Sequence, residues 1–137
     1  MAKITTFLYC ESTQPGPNGA VTLNGPMQIM TPKYIPSAFS FSIFIGIIDL
    51  DVTEPHNIQF IFRNKDNNYE VINTGKLNLQ TPENGYKVLP KELRGIMANL
   101  DFRNAELKNE GEYITEVILD NNLIGEYPIY VRVVDNG

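Results

Sequence analysis

From residue 39 onward the chain alternates. Phe39, Phe41, Ile43, Ile45 and Ile47 hold the odd positions and Ser40 and Ser42 the first even ones, the period of a strand with one buried face. Ile58, Phe60 and Phe62 alternate in the same way with Gln59, Ile61 and Arg63, and Ile96, Ala98, Leu100 and Phe102 with Met97, Asn99, Asp101 and Arg103. These are the three clearest strands. Weaker runs at 4–10, 21–29, 69–72, 75–79, 113–119 and 124–134 bring the expected total, after merging, to about eight.

Turn formers separate the runs. Pro15, Gly16, Pro17, Asn18 and Gly19 break the first two, and residues 31–36, which begin Thr31-Pro32 and end at Pro36, break the next pair, because proline removes a ladder donor and fixes φ. Asp66-Asn67-Asn68 and Asp120-Asn121-Asn122 have the side chains that tolerate the left-handed backbone of tight hairpins. The single helical suggestion, Pro90 to Arg94 with Gly95 after it, is barely one turn and reads as a loop. Many short strands without a long 3.6-residue period predict an all-β fold, a sandwich or a small barrel, in one domain spanning residues 1–137; one local pattern favours an antiparallel β-sandwich.

The segment Asn109-Glu110-Gly111-Glu112-Tyr113-Ile114-Thr115-Glu116-Val117 resembles the tyrosine-corner segment of immunoglobulin-like domains, in which the Tyr hydroxyl bonds back to the preceding backbone. Tyr113 matches that tyrosine. The position of the second cysteine of antibody domains holds Thr115, and the chain has no Trp. Residues 120–131 look like the last hairpin of such a sandwich, with Pro128 marking an edge or bulged strand. The chain also resembles a family of short uncharacterised bacterial or phage-borne proteins, on Cys10-Glu11-Ser12, Leu23-Asn24-Gly25-Pro26-Met27 and Asp101-Phe102-Arg103-Asn104 ahead of Gly111 and Tyr113. That resemblance implies a single-domain β-sandwich and no chemistry.

Eleven basic against sixteen acidic residues leave a net charge of -5. This is the wrong sign for tracking nucleic-acid phosphates or anionic lipid, so neither partner is expected. The longest apolar run, 43–48, is far short of the roughly 20 residues that span a bilayer. Cys10 is the only cysteine, which rules out an internal disulfide and, with an N-terminus that reads directly as strand, predicts a cytoplasmic protein.

Candidate chemistry is sparse. Asp49, Asp51, Glu54 and His56 could supply metal ligands, but charges at a strand exit followed by Pro55 have a simpler meaning, and no zinc-type spacing is present. Asp66, Asn68 and Glu70 start like a calcium loop that then fails, with Val71 at its sixth position and Leu77 at its twelfth. His56 is the only histidine, no Gly-x-Ser-x-Gly elbow exists, Cys10 has no adjacent cation, and no glycine-rich phosphate loop precedes a helix. Neither an enzyme nor a cofactor is expected. Seven Tyr and seven Phe could form a stacking platform, but the alternating inner faces claim most of the phenylalanines, and Tyr127 and Tyr130 fall on opposite faces.

One surface remains. The even face of the strand from residue 39 begins with Ser40 and Ser42 but continues as Phe44, Gly46 and Ile48, which need cover from a loop, such as residues 31–36, or from a partner. The expected function is a non-enzymatic interaction module that binds a protein partner or itself as a homodimer, with Phe44 and Ile48 at or near the interface. Its alternative is a small-molecule or carbohydrate binder using the loops at one end of the sandwich.

Overall fold

The computed structural model describes residues 1–17, 20–51, 53–79 and 89–134. Asn18 and Gly19 of the first predicted turn lie outside them. Ten strands are present among the described residues: β1 (Lys3–Pro15), β2 (Val21–Met27), β3 (Ile29–Met30), β4 (Ser37–Ile48), β5 (His56–Asn64), β6 (Glu70–Asn73), β7 (Leu77–Leu79), β8 (Gly95–Leu107), β9 (Gly111–Leu119) and β10 (Asn122–Val131). The predicted loop before Gly95 is a single 3-10 turn, Lys91–Leu93.

The strands form two sheets rather than a closed barrel. One runs β2-β1-β4-β8; the other runs β3-β10-β9-β5-β6, with β7 also paired to β5. The alternation of β4 has its expected result: Phe41, Ile43, Ile45 and Ile47 are buried, and they face Ile58, Phe60 and Phe62 of β5 within one core. Phe41 lies 5.2 Å from Phe62 and 5.3 Å from Phe102 between ring centroids, and Phe62 lies 5.3 Å from Tyr113. Aromatic pairs at this spacing join both sheets at the middle of the core.

The strand count exceeds the expected eight because none of the nine predicted runs merges and the run 21–29 divides. β2 pairs with β1, whereas β3, one residue later, pairs parallel with β10 in the other sheet. A two-residue strand is too short to show a period, and this parallel pair is the exception in an otherwise antiparallel fold. Thr31 to Pro36, the expected cover for Phe44, follows β3 and is tied to the other sheet's chain end: the Pro32 carbonyl accepts from the Val134 N–H.

The turn predictions rest on visible backbone geometry. Asp120 and Asn121 both have positive φ, +48° and +68°, between Leu119 and its pairing partner Asn122. Two left-handed residues in succession match the right-handed twist of the flanking strands. Asn68, at φ +60°, closes the β5–β6 connection, and the Asn64 side-chain carbonyl accepts from the N–H groups of Asp66 and Asn67. β10 carries a register shift between Leu123 and Gly125 and is paired on its β3 side only at Tyr130 and Val131. Pro128 therefore sits where no ladder donor is needed.

Tyr113 is fully buried, and its hydroxyl donates to the Asn109 carbonyl at 2.7 Å. Tyr113→Phe is expected to lower stability by about 1 kcal/mol, and by more if the carbonyl stays unpaired. Urea unfolding measures it; an unchanged midpoint would remove the structural role given to this bond.

Candidate interaction face

The register fixes which side chains share the outer face of the four-stranded sheet, because residues directly opposite in an antiparallel pair point the same way. Phe44 of β4 lies between Leu8 of β1 and Asn99 of β8; Gly46 lies between Thr6 and Met97; Ile48 lies between Lys3 and Gly95. β4 is thus flanked on both sides, and the face is charge-free across these rows except for Lys3 at one end. Phe44 and Ile48 are half-buried, while Leu8 is 39% and Met97 67% exposed. Sequence reasoning found the two β4 residues from their period. Leu8 and Met97 were missed because cross-strand register is not written in any one strand.

The next row is polar. Ser42 lies between Cys10 and Asp101. Its hydroxyl donates to Asp101 Oδ1 at 2.5 Å, the Thr13 hydroxyl reaches the same oxygen at 3.3 Å, and Asn99 donates to Thr13 Oγ1 at 2.9 Å. Cys10 is buried and free, with its thiol directed at the Ser42 carbonyl. Burial, and then the neighbouring Asp101 charge, push this thiol's pKa up, the opposite of what a nucleophile needs. The apolar rows therefore end at a hydrogen-bonded border.

The two long sides of the sandwich differ. Where β1 passes β10, the Phe7 and Tyr127 rings stack 4.0 Å apart, and the Tyr9 hydroxyl meets the Tyr127 carbonyl at 2.6 Å and Thr115 Oγ1 at 2.7 Å. A carbonyl can only accept. Tyr9 consequently donates to Tyr127 and accepts the Thr115 hydrogen, so one buried phenol bonds to both β9 and β10. Opposite, between β7 and β8, a groove of about 270 Å³ is lined by Ile45, Ile58, Phe60, Leu77 and Ile96, among others.

At the end of the sandwich after β4, Asp49, Asp51, Glu54 and His56 do not converge on one point. The Asp49 carboxylate pairs with the N-terminal ammonium of Met1. The Asp51 carboxylate accepts from the Thr53 hydroxyl at 2.6 Å and the Thr53 N–H at 3.0 Å, bonds that hold its pKa below the usual range. His56 turns to the β9–β10 turn, with Nδ1 2.6 Å from Asp120 Oδ2, and its Nε2 lies 2.6 Å from the Asp51 carbonyl. No group of three His, Cys, Asp or Glu side chains gathers among the described residues. A cavity of about 280 Å³ beside them is lined by Asp49, Leu50, Asp51, Thr53, Lys91 and Arg94. The aromatic platform does not assemble either: Tyr127 is taken up by Phe7, and Tyr34 is 67% exposed in its proline-flanked loop. Among the described residues no helix is long and apolar enough to cross a membrane, which leaves strand-based crossing unaddressed.

The described residues form a two-sheet, all-β fold. Residues 5–132 match DUF6941, a family of unknown function, and the chain belongs to that family. No curated protein matches it. Among solved structures it is similar to Pseudomonas fluorescens alkylpurine DNA glycosylase AlkC bound to DNA containing an abasic site analog, at 9% identity and a TM-score of 0.49. That alignment covers 96% of this chain but only 30% of the glycosylase, and a likeness this distant carries no argument about fold or activity.

Proposed function

We propose that this protein is a cytoplasmic, non-enzymatic interaction module, of bacterial or phage origin, whose docking face is the outer surface of β4 and its neighbours. The carrying observation is the set of rows around Phe44 and Ile48, in which Lys3 is the one charged residue and Leu8 and Met97 stand exposed. An apolar, nearly charge-free patch on a chain of net charge -5 is what an interface core requires, since charges are depleted there. The partner is a protein, and a second copy is the simplest one. A two-fold axis sets the same face of each copy against the other, and a stable pair needs about 800 Å² per partner. Cys10 as a buried free thiol suits a reducing compartment.

An immunoglobulin-like assignment of the sandwich also belongs to this proposal. Strand neighbours β1-β4-β8 and β5-β9-β10 follow the A-B-E and C-F-G groupings of that fold. The Tyr113 bond to Asn109 then falls at the corner before the F strand, and Thr115, bonded to Tyr9, stands at the second-cysteine position.

Phe44→Glu tests the docking face. Light scattering at high micromolar concentration should give a dimer for the wild type and a monomer for the variant, with unchanged circular dichroism. A monomeric wild type would end the self-association reading, and an unfolded variant would make Phe44 part of the core. The alternative, a small-molecule or carbohydrate binder, is favoured by the cavity at the loop end, whose roughly 280 Å³ approaches the size of ligand pockets. A thermal-shift screen with sugars, nucleotides and metals separates the two, because a ligand bound only to the folded state raises the melting temperature.

A further inference from the structure

Both ring nitrogens of His56 face hydrogen-bond acceptors. Nδ1 meets the Asp120 carboxylate and Nε2 the Asp51 carbonyl, each at 2.6 Å. A neutral imidazole has one N–H and can satisfy only one of them; the imidazolium satisfies both. Asp120 is itself held in place, since its N–H donates to the Asn57 carbonyl and its Oδ1 accepts from the Asn57 N–H, both at 2.9 Å. The Asp51 carbonyl also accepts from the Glu54 N–H at 3.4 Å, and Asp51 and Thr53 line the cavity that Lys91 and Arg94 share.

The geometry points to His56 as a proton-operated latch: its imidazolium ties the Asp51 turn to the β9–β10 turn, and loss of the proton releases the Asp51 side and loosens that wall of the cavity. The order of release follows from bond strength. A carboxylate is the stronger acceptor, so the remaining hydrogen stays on Nδ1 toward Asp120. The Nε2 lone pair then faces the oxygen lone pairs of the Asp51 carbonyl and repels them.

The charged groups around the ring favour the closed state. Asp120 approaches from the β9–β10 turn and Asp51 from the β4–β5 connection, where Lys91 of the 3-10 turn acts on Asp51; β7 places the uncharged Leu79 opposite His56. Burial alone would lower the His56 pKa, but the bonds to Asp120 and the Asp51 carbonyl and the attraction of both carboxylates outweigh it, leaving a net rise above 6.5. Burial likewise works to raise Asp120, and the Asn57 N–H and His56 outweigh it and bring its pKa down. The His56 contribution is therefore complete below the unfolded value near 6.5 and disappears as pH rises through the elevated folded value. The Asp120 contribution is complete above the unfolded carboxylate value and disappears as pH falls through the depressed one. The latch is closed between these limits.

Nitrogen-detected NMR of the His56 ring in the intact protein tests this directly. Both ring nitrogens should be protonated at pH 6, His56 should titrate above 6.5, the hydrogen that remains should sit on Nδ1, and the Thr53 and Glu54 amide signals should move with the same midpoint. In Asp120→Asn the midpoint should fall by about one pH unit. In His56→Gln the amide transition should vanish while the fold, read by the remaining amide signals, is retained. A midpoint at or below 6.5, a surviving hydrogen on Nε2, or Thr53 and Glu54 signals that ignore the transition would each overturn the latch.

Discussion

Gly95→Ala should destabilise the protein by about 3 kcal/mol or more, among the larger effects a single methyl group can have. Gly95 opens β8 directly opposite Ile48 of β4. A Cβ built there would lie 1.8 Å from the Ile47 carbonyl oxygen, 2.7 Å from its carbon and 2.8 Å from the Ile48 Cα. All three atoms are backbone, so no side chain can turn aside; the strands themselves must part. Gly46, on the same face, is the control. Its nearest neighbours would be Thr5 and Thr6 side-chain atoms at 3.4–3.7 Å, ordinary contact, and alanine there should change stability by no more than about 0.5 kcal/mol. Urea midpoints for the two variants decide the matter. Equal midpoints would mean that β8 does not begin against β4 as described.

Tyr9→Phe is expected to cost about 2 kcal/mol. The phenol is buried and serves two groups at once, the Tyr127 carbonyl and the Thr115 hydroxyl. Desolvation is the main reason its pKa is raised, against the opposing Thr115 bonds. Phenylalanine retains the ring and its edge-on contact with Phe7 at 5.1 Å but leaves the Tyr127 carbonyl and the Thr115 hydroxyl without this partner, which costs about 1–3 kcal/mol where they are buried. Adding Thr115→Val should recover part of the loss, because removing both partners is cheaper than stranding one. A Tyr9→Phe protein as stable as the wild type, with unchanged denaturant dependence, would show that the bond contributes nothing.

Tyr113 and Tyr9 differ in how far along the chain their partners lie, and only the nearer pairing shows in the sequence. β4 and β5 were legible because each buries one face for most of its length, so hydrophobic side chains fall every second residue. β8 was legible only as far as Phe102: Asn104, at φ +58°, places a bulge opposite Ser40, whose hydroxyl accepts the Asn104 N–H, and the alternation changes phase there. Tyr113 was found because its partner, Asn109, is four residues away. Tyr9 was not, since both of its partners lie more than a hundred residues along the chain. The interaction face was half visible for the same reason. Phe44 and Ile48 share one strand, but Leu8 and Met97 join them only through register. His56 was noticed among neighbouring acids, and the acid that holds its Nδ1 came instead from a hairpin 64 residues later.

The Tyr9 tie also bears on how the domain is made. Residues 9 and 127 are 118 apart, so a ribosome adding about 5–20 residues per second needs roughly 6–24 s after Tyr9 is synthesised before its acceptor exists. Throughout that interval β1 can pair with β2 and β4, and β5 can already lie against β4, but Tyr9 and Phe7 have no partners in the second sheet until β9 and β10 emerge. The side of the sandwich that Tyr9 fastens is therefore the last to be closed during synthesis.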